Sequence, residues 1–105
     1  MTPEELRHKL QVKRGHAAYL AELFESLMGF TPTNQQCMIW LNRFDVDICA
    51  AAIERTGEFL LQYNQEADEE IRSGNLNYGE KTQTDLLRYA SGCMYKMKDK
   101  ADDLV

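Results

Sequence analysis

A chain of 105 residues makes one domain that buries roughly 60–70% of its unfolded surface, and a hydrophobic content of 44% is ordinary for a globular fold. Cys37, Cys49 and Cys93 are odd in number and lack CxxC spacing, which argues against a disulfide framework and for a reducing compartment. The net charge of −5 weighs against nucleic-acid binding by electrostatics alone.

The opening residues carry a strong helix signal. Thr2 caps, Pro3 takes the first helical position, and Glu5 completes a Thr-x-x-Glu capping box. Leu6, Leu10, Lys13, Ala17, Leu20, Phe24 and Leu27 follow in steps of four and three, a heptad-like seam broken only by Lys13. One long helix over 3–28 is expected, with Gly15 as the place where it could bend. Residues 1–15 are expected to form a mobile helical extension.

Gly29 is placed to end that helix in the left-handed conformation, and Pro32 biases Thr31 away from helical geometry. Thr33, with Gln36 as its capping-box partner, starts a second helix over about 34–43. Its apolar face is Cys37, Trp40, Leu41 and Phe44. Asp45 reads as the next N-cap, and Asp47 favours the helix dipole. The third helix begins at Val46, has Val46, Cys49, Ala50, Ile53, Gly57 and Leu60 as its expected buried stripe, and reaches at least Tyr63. Residues 64–80 read as a helix extension and then a loop, with turns at Ser73-Gly74-Asn75 and Tyr78-Gly79. A last helix opens at Thr82 or Thr84, presents Leu86, Ala90, Cys93 and Met97 on one face, and fades into a frayed tail over 98–105. No period-two pattern occurs. The expectation is a single all-α domain over 1–105, a small bundle of four to five helices with one longer polar loop.

Charge is uneven along the chain. Arg7, Lys9, Lys13 and Arg14 fall in a stretch without acids, and Lys81, Arg88, Lys96, Lys98 and Lys100 outnumber Asp85 and Asp99. Acids gather between Glu22 and Glu80, with Asp102 and Asp103 in the tail. These are either solvated helix faces or two basic ends that meet on one side of the fold and touch phosphate.

Catalytic chemistry is not visible. His8 and His16 have no zinc spacing, "DEE" at 68–70 lacks the glycine and final glutamate of a calcium loop, and no phosphate-binding glycine loop or nucleophile elbow occurs. No enzyme, metal, cofactor or small-molecule substrate is expected. The three cysteines and Trp40 sit on apolar faces and read as core. With no apolar run near 18 residues and a polar start unlike a signal peptide, a bacterial or viral cytoplasmic protein without membrane partners is expected.

The run "LFESLMGFTPTNQQCMIWLNRFDVDICAAAIERT", residues 23–56, resembles the DnaD-like domain of bacterial and phage replication proteins. Phe24, Gly29, Pro32, Trp40, Val46, Ile48, Ala52 and Ile53 match its order of helix, Gly-Pro turn, Trp-bearing helix and Ala-Ile helix. That family ends in a Tyr-x-x-x-Ile-x-x-x-Trp helix associated with DNA binding and primosome assembly. The counterparts here are Tyr89, Cys93 and Met97, with Cys in place of Ile and Met in place of Trp. The linker before that helix, about residues 57–83, is longer than the family's usual turn.

The resemblance implies a replication-associated accessory module that binds DNA weakly or docks on a helicase or loader. Arg88, Tyr89, Tyr95, Lys96, Lys98 and Lys100 would supply phosphate contacts and base stacking, extended by Arg7, Lys9, Lys13 and Arg14. The alternative is a small, acidic, phage-type adaptor or inhibitor without a nucleic-acid role. It would bind a basic partner through Glu66, Asp68, Glu69 and Glu70, or pair with its own copy through the first helix.

Overall fold

A computed structural model describes residues 1–74 and 81–103. They form four helices, α1 (Pro3–Met28), α2 (Asn34–Arg43), α3 (Val46–Arg72) and α4 (Gln83–Asp103), and no strand among the described residues.

The local signals act as expected at most boundaries. Thr2 Oγ1 accepts from the Glu5 N–H at 3.2 Å, and Thr33 Oγ1 accepts from the Gln36 N–H at 3.1 Å. Gly29 closes α1 in the left-handed region at φ 83°, its N–H donating to the Glu25 carbonyl at 2.9 Å. A side chain at that φ meets its own backbone, which is why glycine stands there. Asp45 occupies the cap position of α3, but its carboxylate makes no capping hydrogen bond. Its charge, with that of Asp47, still lies at the positive end of the helix dipole. At α4, Thr82 rather than Thr84 is the cap. Thr82 Oγ1 accepts from the Asp85 N–H and an Asp85 carboxylate oxygen accepts from the Thr82 N–H, both at 3.1 Å. Hydrogen bonding from the Thr82 backbone N–H, and then from its hydroxyl, holds the Asp85 carboxyl below its ordinary pKa.

Helix α3 continues into the expected extension, and α4 runs on into the tail. α3 passes Tyr63 and stops only at Arg72, where Ser73 Oγ donates to the Glu69 and Glu70 carbonyls and Gly74 takes φ 94°. The turn at Ser73-Gly74 is therefore real, whereas Asn75 and Tyr78-Gly79 lie outside the described residues. α4 remains helical to Asp103. α1 passes Gly15 without interruption.

The core is contiguous. Leu20, Phe24, Cys37, Trp40, Cys49, Ile53 and Met94 are fully or almost fully buried, each large side chain worth roughly 1.5–3 kcal/mol of transfer free energy. Phe24 packs on Trp40 at 6.0 Å and edge-on to Phe30 at 5.0 Å. The Trp40 indole N–H donates to Ser91 Oγ at 2.9 Å, and that hydroxyl donates to the Leu87 carbonyl, joining α2 to α4 through a satisfied polar pair. Ala52, Thr56 and Met94 join the core beyond the expected stripes; the Thr56 hydroxyl stays buried because it bonds the Ala52 carbonyl at 2.7 Å.

α3 is the central helix. α1 runs beside it in the same direction, with Leu27 against Gly57 at one end and Lys13 donating to Asn42, just before α3 begins, at the other. α4 runs back along α3: Tyr89 stacks on Phe59, and Lys98 reaches the Arg43 carbonyl. α1 starts well before α3, and α3 continues well beyond α1. The molecule is accordingly elongated, 63 × 32 × 16 Å. Leu6 and Leu10, expected on the buried seam, are 51% and 42% exposed because no other helix reaches them.

Candidate nucleic-acid interface

The proposed phosphate-contacting residues do not form one surface. At 3.6 residues per turn, α4 distributes them over separate flanks. Tyr95 and Lys98 face α2: the Tyr95 ring lies edge-on to Phe44 at 4.9 Å, and its hydroxyl accepts from Arg43 Nη1 at 2.6 Å. Lys98 Nζ lies 3.5 Å from the Arg43 carbonyl and 5.9 Å from the Phe44 ring centre. With Lys13 on Asn42, the basic stretches at the two ends of the chain do meet, at the C-terminal end of α2. Cations there offset the negative end of the helix dipole, so Lys13, Arg43 and Lys98 have a structural role.

Arg88, seven residues before Tyr95, shares its face of α4 about 10 Å nearer the helix N-terminus, close enough to Asp85 to help lower that carboxyl's pKa. Lys81, at the start of α4, sits over the Tyr63 ring at 4.6 Å and the Phe59 ring at 5.9 Å. Tyr89 stacks on Phe59 with centroids 4.1 Å apart and an interplanar angle of 10°. One face of its ring is therefore occupied within the protein, against the expectation that it serves base stacking from an open surface. Arg7, Lys9 and Arg14 are exposed on the projecting half of α1.

The opposite flank of α4 is different. Tyr89, Gly92, Cys93, Lys96, Met97 and Lys100 form, with Arg55 of α3, a groove of about 520 Å³. Its floor is the Tyr89–Cys93–Met97 row, and three cations stand around it. None of Arg55, Lys96 or Lys100 makes a hydrogen bond or ion pair among the described residues. Arg55 is the contributor that sequence reasoning missed. It is a single base between acids and small residues, and only the packing of α4 on α3 brings it beside Lys96. Arg43 was missed for the same reason.

The acidic cluster Glu66, Asp68, Glu69 and Glu70 lies elsewhere. Asp68 is about 20 Å along α3 from Arg55, more than two Debye lengths at physiological salt. Glu54 and Glu58 flank Arg55 on α3 and Asp99 lies between Lys98 and Lys100 on α4, so acids do stand near the groove's cations and reduce its positive field.

No group of three His, Cys, Asp or Glu among the described residues is placed to hold a metal. Burial pushes the Cys37 thiol up; burial, then the neighbouring Cys37, pushes Cys49 up to about 11, so neither supplies a thiolate at neutral pH. No helix among the described residues is long and apolar enough to cross a membrane.

Compared with protein-family models, curated proteins and solved structures, the chain matches none. The likeness of residues 23–56 to DnaD-like domains rests on the residues quoted for it.

Proposed function

We propose that this chain is a non-enzymatic helical module that binds the phosphate backbone of DNA weakly through the α3–α4 groove, in the manner of a replication accessory domain. One observation carries the reading: Arg55, Lys96 and Lys100, with no partner among the described residues, surround the apolar row in which Tyr89, Cys93 and Met97 stand where DnaD-like domains have Tyr, Ile and Trp. Lys98 and Lys81, by contrast, are engaged within the fold by a carbonyl and a ring. Met97 cannot stack a base as Trp does, so affinity comes from phosphate contacts and sequence preference is slight.

Three phosphate contacts give a defined salt dependence. Duplex binding falls with a log–log slope of about −2.7, or about 40-fold between 50 and 200 mM salt; single strands give a slope of about −2.1. Titration of labelled single- and double-stranded oligonucleotides over that range tests it. Absence of binding at the low-salt end removes the DNA reading and leaves docking on a helicase or loader to be sought by pulldown.

A further inference from the structure

The half of α1 that projects beyond the bundle is an apolar stripe with basic edges. Leu6 and Leu10 lie in line with the buried seam residues Ala17, Leu20 and Phe24, yet both are largely exposed. Lys9 and Arg14 flank them at helical spacing. The half of α3 that outruns α1 is the counterpart. α1 covers α3 at Gly57, where Leu27 sits. The same row continues past the end of α1 in steps of four and three, through Leu61, Asn64 and Asp68 to Ile71. Leu61 is 63% exposed and Ile71 48%. Asp68 lies in the row itself, and Glu58 and Glu69 edge it.

The overlapping parts of the two seams satisfy each other within the chain. The leftover parts are matched in spacing and opposite in charge, but lie at opposite ends of a 63 Å molecule. They cannot meet within one copy. The two stretches, residues 3–14 and 58–72, are about 18 and 22 Å long.

We infer that two copies associate antiparallel, the basic arm of each α1 lying along the acidic outer half of the other's α3. The contact is not α1 on α1, which would oppose Lys9 and Arg14 to their own copies. A two-fold axis forms both arm contacts at once, which matters because one arm alone is short for a stable interface. Arg55, Lys96 and Lys100 take no part, so the dimer and the DNA reading stand or fall separately.

Sedimentation velocity of the full chain tests the inference, with circular dichroism to confirm that each variant keeps its helix content. The wild type is expected to show a concentration-dependent dimer at low salt that dissociates as salt rises. Lys9→Glu/Arg14→Glu and Asp68→Lys/Glu69→Lys are each expected to raise the dimer Kd about tenfold or more. An equimolar mixture of the two variants is expected to recover the dimer, because the reversed arm of one then faces the reversed α3 of the other. A wild type that stays monomeric at every concentration, reversals that dimerise like the wild type, or a mixture that stays monomeric each overturn it.

Discussion

Leu27 of α1 fills the notch that Gly57 leaves in α3: a Cβ added at Gly57 would stand 3.2 Å from the Leu27 Cβ and 3.3 Å from a Leu27 methyl. This contact fixes how far α1 overlaps α3, and so which parts of both helices are left over. Gly15, by contrast, has nothing within 4 Å of an added Cβ. Gly15→Ala should stabilise the protein by about 1 kcal/mol through helix propensity. Gly57→Ala should forfeit that gain to the tight contact, and Gly57→Leu should cost about 1–3 kcal/mol. Denaturant unfolding of the three variants checks the order, and Leu27→Ala, which removes the methyl contacts but keeps the Leu27 Cβ, should restore only part of the gain to Gly57→Ala as a measurable coupling.

Trp40 and Ser91 carry the polar link between α2 and α4. Ser91→Ala leaves the buried indole N–H without an acceptor and should cost about 1–3 kcal/mol. Trp40→Phe in the same background removes the stranded donor, so the two changes should combine less than additively. Chemical denaturation of the single and double variants measures this.

The reciprocal bonds between Thr82 and Asp85 start α4. Thr82→Ala should cost about 1 kcal/mol. The folded pKa of Asp85 is depressed, so its stabilisation is present above the ordinary carboxylate range and is lost as pH falls through the folded value. Asp85→Asn should weaken the acid sensitivity of unfolding, read as the shift in denaturation midpoint on acidification.

Cys49 gives the opposite window. Its thiol is raised from 9.0 to about 11 in the folded protein, so its contribution is intact below pH 9 and is lost as pH climbs toward about 11, where the unfolded chain ionises first. Thermal unfolding should become easier across that window, and Cys49→Ala, although less stable at neutral pH, should show a shallower decline.

The helix boundaries were readable because each is set within a few residues: Thr2, Gly29, Thr33 and Thr82 act on the turn beside them. The length of α3 was not, because "QEADEE" is compatible with either helix or loop until Ser73-Gly74 supplies a stop. The seam through Leu6 and Leu10 was visible, but periodicity does not tell whether a facing helix extends that far. The interface was legible only in part. Lys96 and Lys100 were identified as basic, but their separation from Tyr95 and Lys98 depends on which way α4 turns its core face. The stacking of Tyr89 depends on Phe59, thirty residues away, and Arg55 carries no local signal at all.

The central claim rests on three cations around one groove, and oligonucleotide binding by Arg55→Glu/Lys96→Glu beside the wild type tests it most directly. At low salt the wild type should bind, and the variant, with unchanged helix content, should lose more than about tenfold in affinity with a shallower salt slope. Equal affinity in the two proteins, or a wild type that binds no DNA at low salt, would contradict the account.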